Sequence, residues 1–160
     1  MTDTIAPKTG SHEQAAKATA KYLEPVVQQL IALQVNGKQA HWHVQGPTFI
    51  AIHELLDDVV DHAKAWSDLA AERIVALGLP VDGRLATAAG AGSFEPAAGF
   101  QSVEETIADV IAQIDIATSK VNEAIDGLET PDPASQDVAI EIRQGLDKDR
   151  WFLFSHIAGK

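Results

Sequence analysis

Residues 53–72 read HELLDDVVDHAKAWSDLAAE, and the fold and chemistry of the chain can be worked out from this stretch. Its apolar positions, continued on both sides as Phe49, Ile52, Leu56, Val59, Val60, Ala63, Ala70 and Ile74, recur at the spacing of an amphipathic helix. A second stripe runs beside that arc. On a helix turning by 100° per residue and counted from His53, Asp57 falls at about 40°, Asp68 at about 60° and Glu72 at about 100°. The rise from Asp57 to Asp68 is roughly 16 Å, far beyond a metal–ligand bond of roughly 2.0–2.6 Å. The stripe is therefore two half-sites on one helix.

The residue pairs 53/72, 57/68 and 61/64 share one midpoint, between residues 62 and 63. An antiparallel copy related by a two-fold axis through that point sets His53 and Asp57 of one subunit against Glu72 and Asp68 of the other, and forms two equivalent sites per dimer. The same operation places Asp61 opposite Lys64, an expected salt bridge beside the axis.

Outward from this helix, expected over about 48–77, the Gly46-Pro47 pair ends an earlier one. That first long helix is expected from about Pro25, a residue suited to a first turn, to about Val44, with Leu23, Val26, Val27, Leu30, Leu33 and Val35 as its apolar positions. Residues 1–22 read as an N-terminal arm in which Ser11 to Gln14 matches a capping box, and 23–160 as the single domain. Residues 78–102 are rich in glycine, alanine and proline, with room for a short helix over 85–89; so long a connection implies a crossover. Val103, Ile107, Val110, Ile114, Val121, Ile125 and Leu128 mark a third long helix. After Pro131 and Pro133, Ser135 is placed to cap a fourth, with Val138, Ile142, Leu146, Leu153 and Ile157 inward. No strand pattern stands out. The expected fold is all-α, a ferritin-like four-helix bundle with a long crossover between the second and third long helices.

Composition narrows the chemistry. A chain of 160 residues that is 46% hydrophobic and 22% charged suits one globular domain. With no cysteine there is no disulfide, thiolate metal site or cysteine nucleophile. The polar first ten residues lack a signal-peptide core and no long apolar run occurs, so a soluble cytoplasmic protein is expected. The net charge of −11 repels nucleic acid and attracts cations. With His41 added, the ligand set is imidazole and carboxylate, which suits iron, zinc or manganese, whereas calcium prefers an all-oxygen shell. Few protein ligands per ion leave coordination positions open for turnover. Glu-x-x-His is absent, so a di-iron site inside one bundle is not expected.

The series His41, Trp42, Gly46, Phe49, His53, Asp57, Asp68 and Glu72, with the GLPVDGR segment at 78–84 and the DKDRWF segment at 147–152, resembles the Dps family of small ferritins over nearly the whole chain. The resemblance implies a shell of twelve subunits that binds iron between two-fold partners, oxidises Fe(II), usually with hydrogen peroxide, and stores ferric mineral. It implies His41, His53 and Asp57 as ligands from one subunit and Asp68 and Glu72 from the other, with Glu72 bridging or holding the tighter iron. Trp42, next to a ligand, is either an electron donor to oxidising intermediates or a packing residue. His43 stands where the family most often has asparagine, and reads as a hydrogen-bonding helix-end residue or an additional ligand. His62 points away from the stripe, and His12 and His156 carry no pattern. Asp126, Glu129, Asp132, Asp137 and Glu141 are candidates for an acidic three-fold pore. Through Glu24 the arm balances Lys8, Lys17 and Lys21 against Asp3, Glu13 and Glu24, so weak or absent DNA binding is expected. Two other readings remain open: a metal-dependent amide or ester hydrolase using the same site, since a metal lowers the pKa of bound water, and a non-catalytic nucleoid or structural oligomer.

Overall fold

The chain turns sharply at Gly46, whose φ of 137° favours glycine. This turn joins the two helices that carry the first half-site. The computed structural model describes residues 10–92 and 94–159, the side chains of Gly10 and Ser11 excepted, so the capping box expected at Ser11 lies outside the described residues. Helix α1 spans Gly10–His43, strand β1 Val44–Gln45 and helix α2 Phe49–Ala76. A short helix α3 (Leu85–Gly90) and strand β2 (Gln101–Ser102) lie in the crossover, followed by α4 (Val103–Leu128) and α5 (Pro133–Ser155).

Helix α1 is longer than the sequence implied. It was expected to start at Pro25, yet it runs through that proline from Gly10. A proline inside a helix removes one hydrogen bond and crowds the preceding turn. Packing offsets this here, because Ala16, Thr19 and Leu23 on the earlier turns are buried in the bundle. The core then takes Val26, Val27, Leu30 and Leu33 from α1, and Ile52, Leu56, Val59, Ala63, Ala70 and Ile74 from α2. Val35, expected to be apolar core, is 53% exposed. Gly37 lets α2 come close, since a Cβ there would lie 2.8 Å from Val60 Cγ2.

The crossover is pinned along α1 by a row of amide side chains. Gln28 donates to the Asp82 carbonyl at 3.2 Å, Gln29 to Ala91 at 2.8 Å, Asn36 to Phe94 at 2.9 Å and Gln39 to Ala97 at 3.4 Å. These bonds satisfy carbonyls that a loop without its own ladder would leave unpaired. They also fix its direction: it retraces α1 towards His43, so α4 starts at the same end as α2 and runs parallel to it. At that end β1 and β2 form a two-residue parallel pair, Val44 with Gln101 and Gln45 with Ser102. No strand was expected, and a pair this short carries no alternation to read.

Ser102 and Glu105 close a capping box at the start of α4, with Ser102 Oγ accepting from the Glu105 amide and Glu105 Oε2 accepting from the Ser102 amide. At the other end Asp132, Ser135, Thr19 and Arg73 form a hydrogen-bonded knot that ties α1, α2 and α5 together. Ser135 therefore sits inside α5, which begins at Pro133, and does not cap it.

Candidate metal centre

His41 occupies the last turn of α1 and His53 the second turn of α2, and the Gly46 turn brings them face to face. Their rings stack with centroids 3.6 Å apart and planes 23° apart. Each ring is anchored by the other residue's backbone: His41 Nδ1 lies 2.7 Å from the His53 carbonyl oxygen, and His53 Nδ1 lies 2.8 Å from the His41 carbonyl oxygen. A carbonyl only accepts, so both Nδ1 atoms carry a proton, and in the neutral imidazoles both Nε2 atoms keep a lone pair. This is how metal-ligating imidazoles are commonly oriented before an ion arrives. Phe49, one turn before His53, packs on its ring at 5.0 Å.

Asp57 lies one turn after His53, with Oδ1 3.3 Å from His41 Nδ1. Lys38 of α1 donates to the same oxygen at 2.5 Å. That hydrogen bond, with the Lys38 charge, holds the Asp57 carboxyl below the usual carboxylate range. Lys38 was not singled out from sequence, because its partner lies on another helix and only packing brings them together.

The structure thus makes His41, His53 and Asp57 neighbours without converging them on one point, and leaves Asp68 and Glu72 apart. Both of the latter are exposed on the far half of α2, and neither has a hydrogen-bond or ion-pair partner among the described residues. No three potential metal ligands converge among the described residues. Asp68 lines an open groove of about 580 Å³ together with Asp61, Lys64 and the apolar side chains of Val27, Ile31 and Val81. Trp42, beside His41, is 63% exposed and so does not pack in its own subunit's core.

His43 donates through Nδ1 to the Gln39 carbonyl at 2.8 Å, and rests near Phe100. Asp132 does not fit a pore-lining role. It is buried, and although burial alone would push its carboxyl up, hydrogen bonds from Ser135, Arg73 and Thr19 hold it low. His62 is not merely exposed: it pairs with the buried Asp149 of α5.

A ferritin-like domain model matches residues 20–159. The fold superposes on the solved Dps of Microbacterium arborescens, described in a high iron form, with a TM-score of 0.89 and 55% identity, covering 91% of this chain and 95% of that one. The DNA protection during starvation protein of Agrobacterium fabrum is 32% identical over 133 residues, 82% of each chain. Protein 2 of the same name from Deinococcus radiodurans is 28% identical over 92% of this chain, which spans 61% of that longer protein. A paired-histidine half-site on this bundle, with that agreement along almost its full length, makes the chain a member of the Dps family of ferritin-like proteins.

Proposed function

We propose that this protein stores and detoxifies iron, oxidising Fe(II) with hydrogen peroxide at sites shared between two-fold partners in a hollow homo-oligomer of twelve subunits. The observation that carries the reading is the reciprocal anchoring of His41 and His53 through Nδ1, which leaves the two Nε2 atoms for a metal, while Asp57 lies one turn after His53 and Asp68 and Glu72 stand unpaired on the same helix. Iron is the substrate here. Asp57 and the two imidazoles bind it from one side, and Asp68 and Glu72 of the partner subunit complete the site, with Glu72 the bridging or tighter-binding carboxylate. Two Fe(II) ions give one electron each to a peroxide, which takes up two protons and leaves as two waters. Fe(III) then passes to mineral within the shell. Trp42 is exposed next to a ligand, and donates an electron to oxidising species that escape the site.

Among the described residues no helix is long and apolar enough to cross a membrane. The protein acts in the cytoplasm, and its net charge of −11 leaves DNA binding weak or absent at physiological salt. Tight binding in a mobility-shift titration at that salt would refute this last point.

The deciding experiment adds Fe(II) anaerobically, then peroxide, and follows ferric absorbance and particle mass in the parent and in an Asp68→Ala, Glu72→Ala variant. Rapid oxidation with iron retained in the parent, lost in the variant, is expected. Parent oxidation no faster than the protein-free control sinks the proposal.

A further inference from the structure

The buried stripe of α5 runs Ser135, Ala139, Ile142, Leu146, Asp149, Leu153, so an acid occupies a core position. A buried carboxylate is costly without compensation. Asp149 is 3% exposed, and its carboxylate oxygens lie 3.0 and 3.1 Å from Nδ1 of His62 on α2. The His62 ring is fixed from another direction too. Trp66, one turn further along α2, stacks on it at 5.4 Å, and the indole lies against Gly145 of α5, where any Cβ would collide with it.

With Nδ1–H directed at Asp149, the neutral His62 ring has its lone pair on Nε2, and 46% of the side chain is exposed. Asp58 lies four residues earlier on the same helix face and is exposed. Its charge raises the Asp149 carboxyl, alongside the larger effect of burial, which puts it on the same side as the pair. Asp58 also lines an open cleft of about 490 Å³ between α2 and α5, together with Glu54 and His156. His62 itself and Lys148 act in the opposite direction and lower the Asp149 carboxyl.

An imidazole whose Nδ1–H is held by a buried carboxylate, with Nε2 open and a second carboxylate one turn away, is arranged as metal-binding histidines are. We propose that His62 and Asp58 form a second site for a divalent transition metal, one per subunit, with water completing the shell and Asp149 positioning His62. Imidazole favours Zn(II), Fe(II) or Co(II) over calcium and magnesium. The site is separate from the ligand stripe, since His62 stands about 180° around α2 from His53, and it needs no partner subunit.

The test titrates Zn(II) by calorimetry into the assembled protein carrying His41→Gln, His53→Gln, Asp68→Ala and Glu72→Ala, so that both halves of the shared centre are disabled in every arm and the result is independent of the ferroxidase reading. One residual site per subunit is expected, lost with His62→Gln and weakened ~10–100-fold by Asp149→Asn. Asp58→Asn, at an exposed position, is expected to weaken binding without altering particle mass or helical content. Absence of a residual site, or a residual site indifferent to both His62→Gln and Asp58→Asn, overturns the proposal.

Discussion

The two halves of α2 each carry a pair of candidate ligands and are finished differently. Near its start, His53 and Asp57 are held by α1: two reciprocal carbonyl bonds, a stacked His41 and the Lys38 ammonium fix their geometry within one chain. Towards its end the backbone is equally well fixed, because Arg73 is tied to Asp132 and Ser135, yet Asp68 and Glu72 point into the open with no partner among the described residues. The scaffold at that end is rigid and the ligands are unfinished. A pre-organised half and an unsatisfied half on one helix, arranged about a common midpoint, are what a site shared between identical copies requires.

The sharpest way to break this comparison is to mix two dead proteins. Co-assembly of His53→Ala chains with Glu72→Ala chains is expected to restore activity, because each mixed dimer contains one site with every ligand intact. Random pairing of equal amounts gives about a quarter of the parent rate. Restored activity indistinguishable from zero, with mixed particles confirmed by mass, would mean that the halves do not meet across subunits.

The fixed scaffold at the far end is tested through Asp132. Its carboxyl is held below 3.8, so its contribution to stability is present above that value and fades as pH falls through the lowered one. Asp132→Asn is expected to cost about 1–3 kcal/mol at neutral pH, and the difference from the parent should shrink below about pH 4. Denaturant unfolding at the two pH values measures it; a constant difference would locate the stability elsewhere.

A smaller effect is expected at the axis. Asp61→Lys opposes Lys64 of the partner subunit and should weaken the dimer by about 1 kcal/mol for each of two symmetric contacts. Adding Lys64→Asp should recover the loss, read by sedimentation at low salt; no recovery argues against this register.

The smallest effect belongs to Lys38. Its ammonium occupies the Asp57 oxygen that iron would use, so Lys38→Met should tighten Fe(II) binding by at most about fivefold, in keeping with a partly exposed ion pair. Weaker binding in anaerobic titration would show that Lys38 orients Asp57 and does not compete for it.

The stripe of His53, Asp57, Asp68 and Glu72 was legible because helical period alone sets which residues share a face. The same period marked α2 and α4 to within a residue or two. Two features were missed: the two-residue β pair, which has no period to read, and the turns of α1 before Pro25, because that proline reads as a helix start although the helix runs through it. Asp149 was likewise invisible as a partner of His62, since 87 residues separate them and no local pattern links the two.

The sequence by itself determined the all-α fold and the spacing of His53, Asp57, Asp68 and Glu72 along one face of α2, because each depends only on the residue repeat along a helix. Tertiary structure alone decided which imidazole nitrogens are taken up by backbone carbonyls, that Lys38 rests on Asp57, that Asp132 is sealed in a knot and that His62 is oriented by a buried acid. Those outcomes depend on how separate helices approach one another, and that approach is set by the Gly46 turn, the close contact at Gly37 and the amide row that lays the crossover along α1.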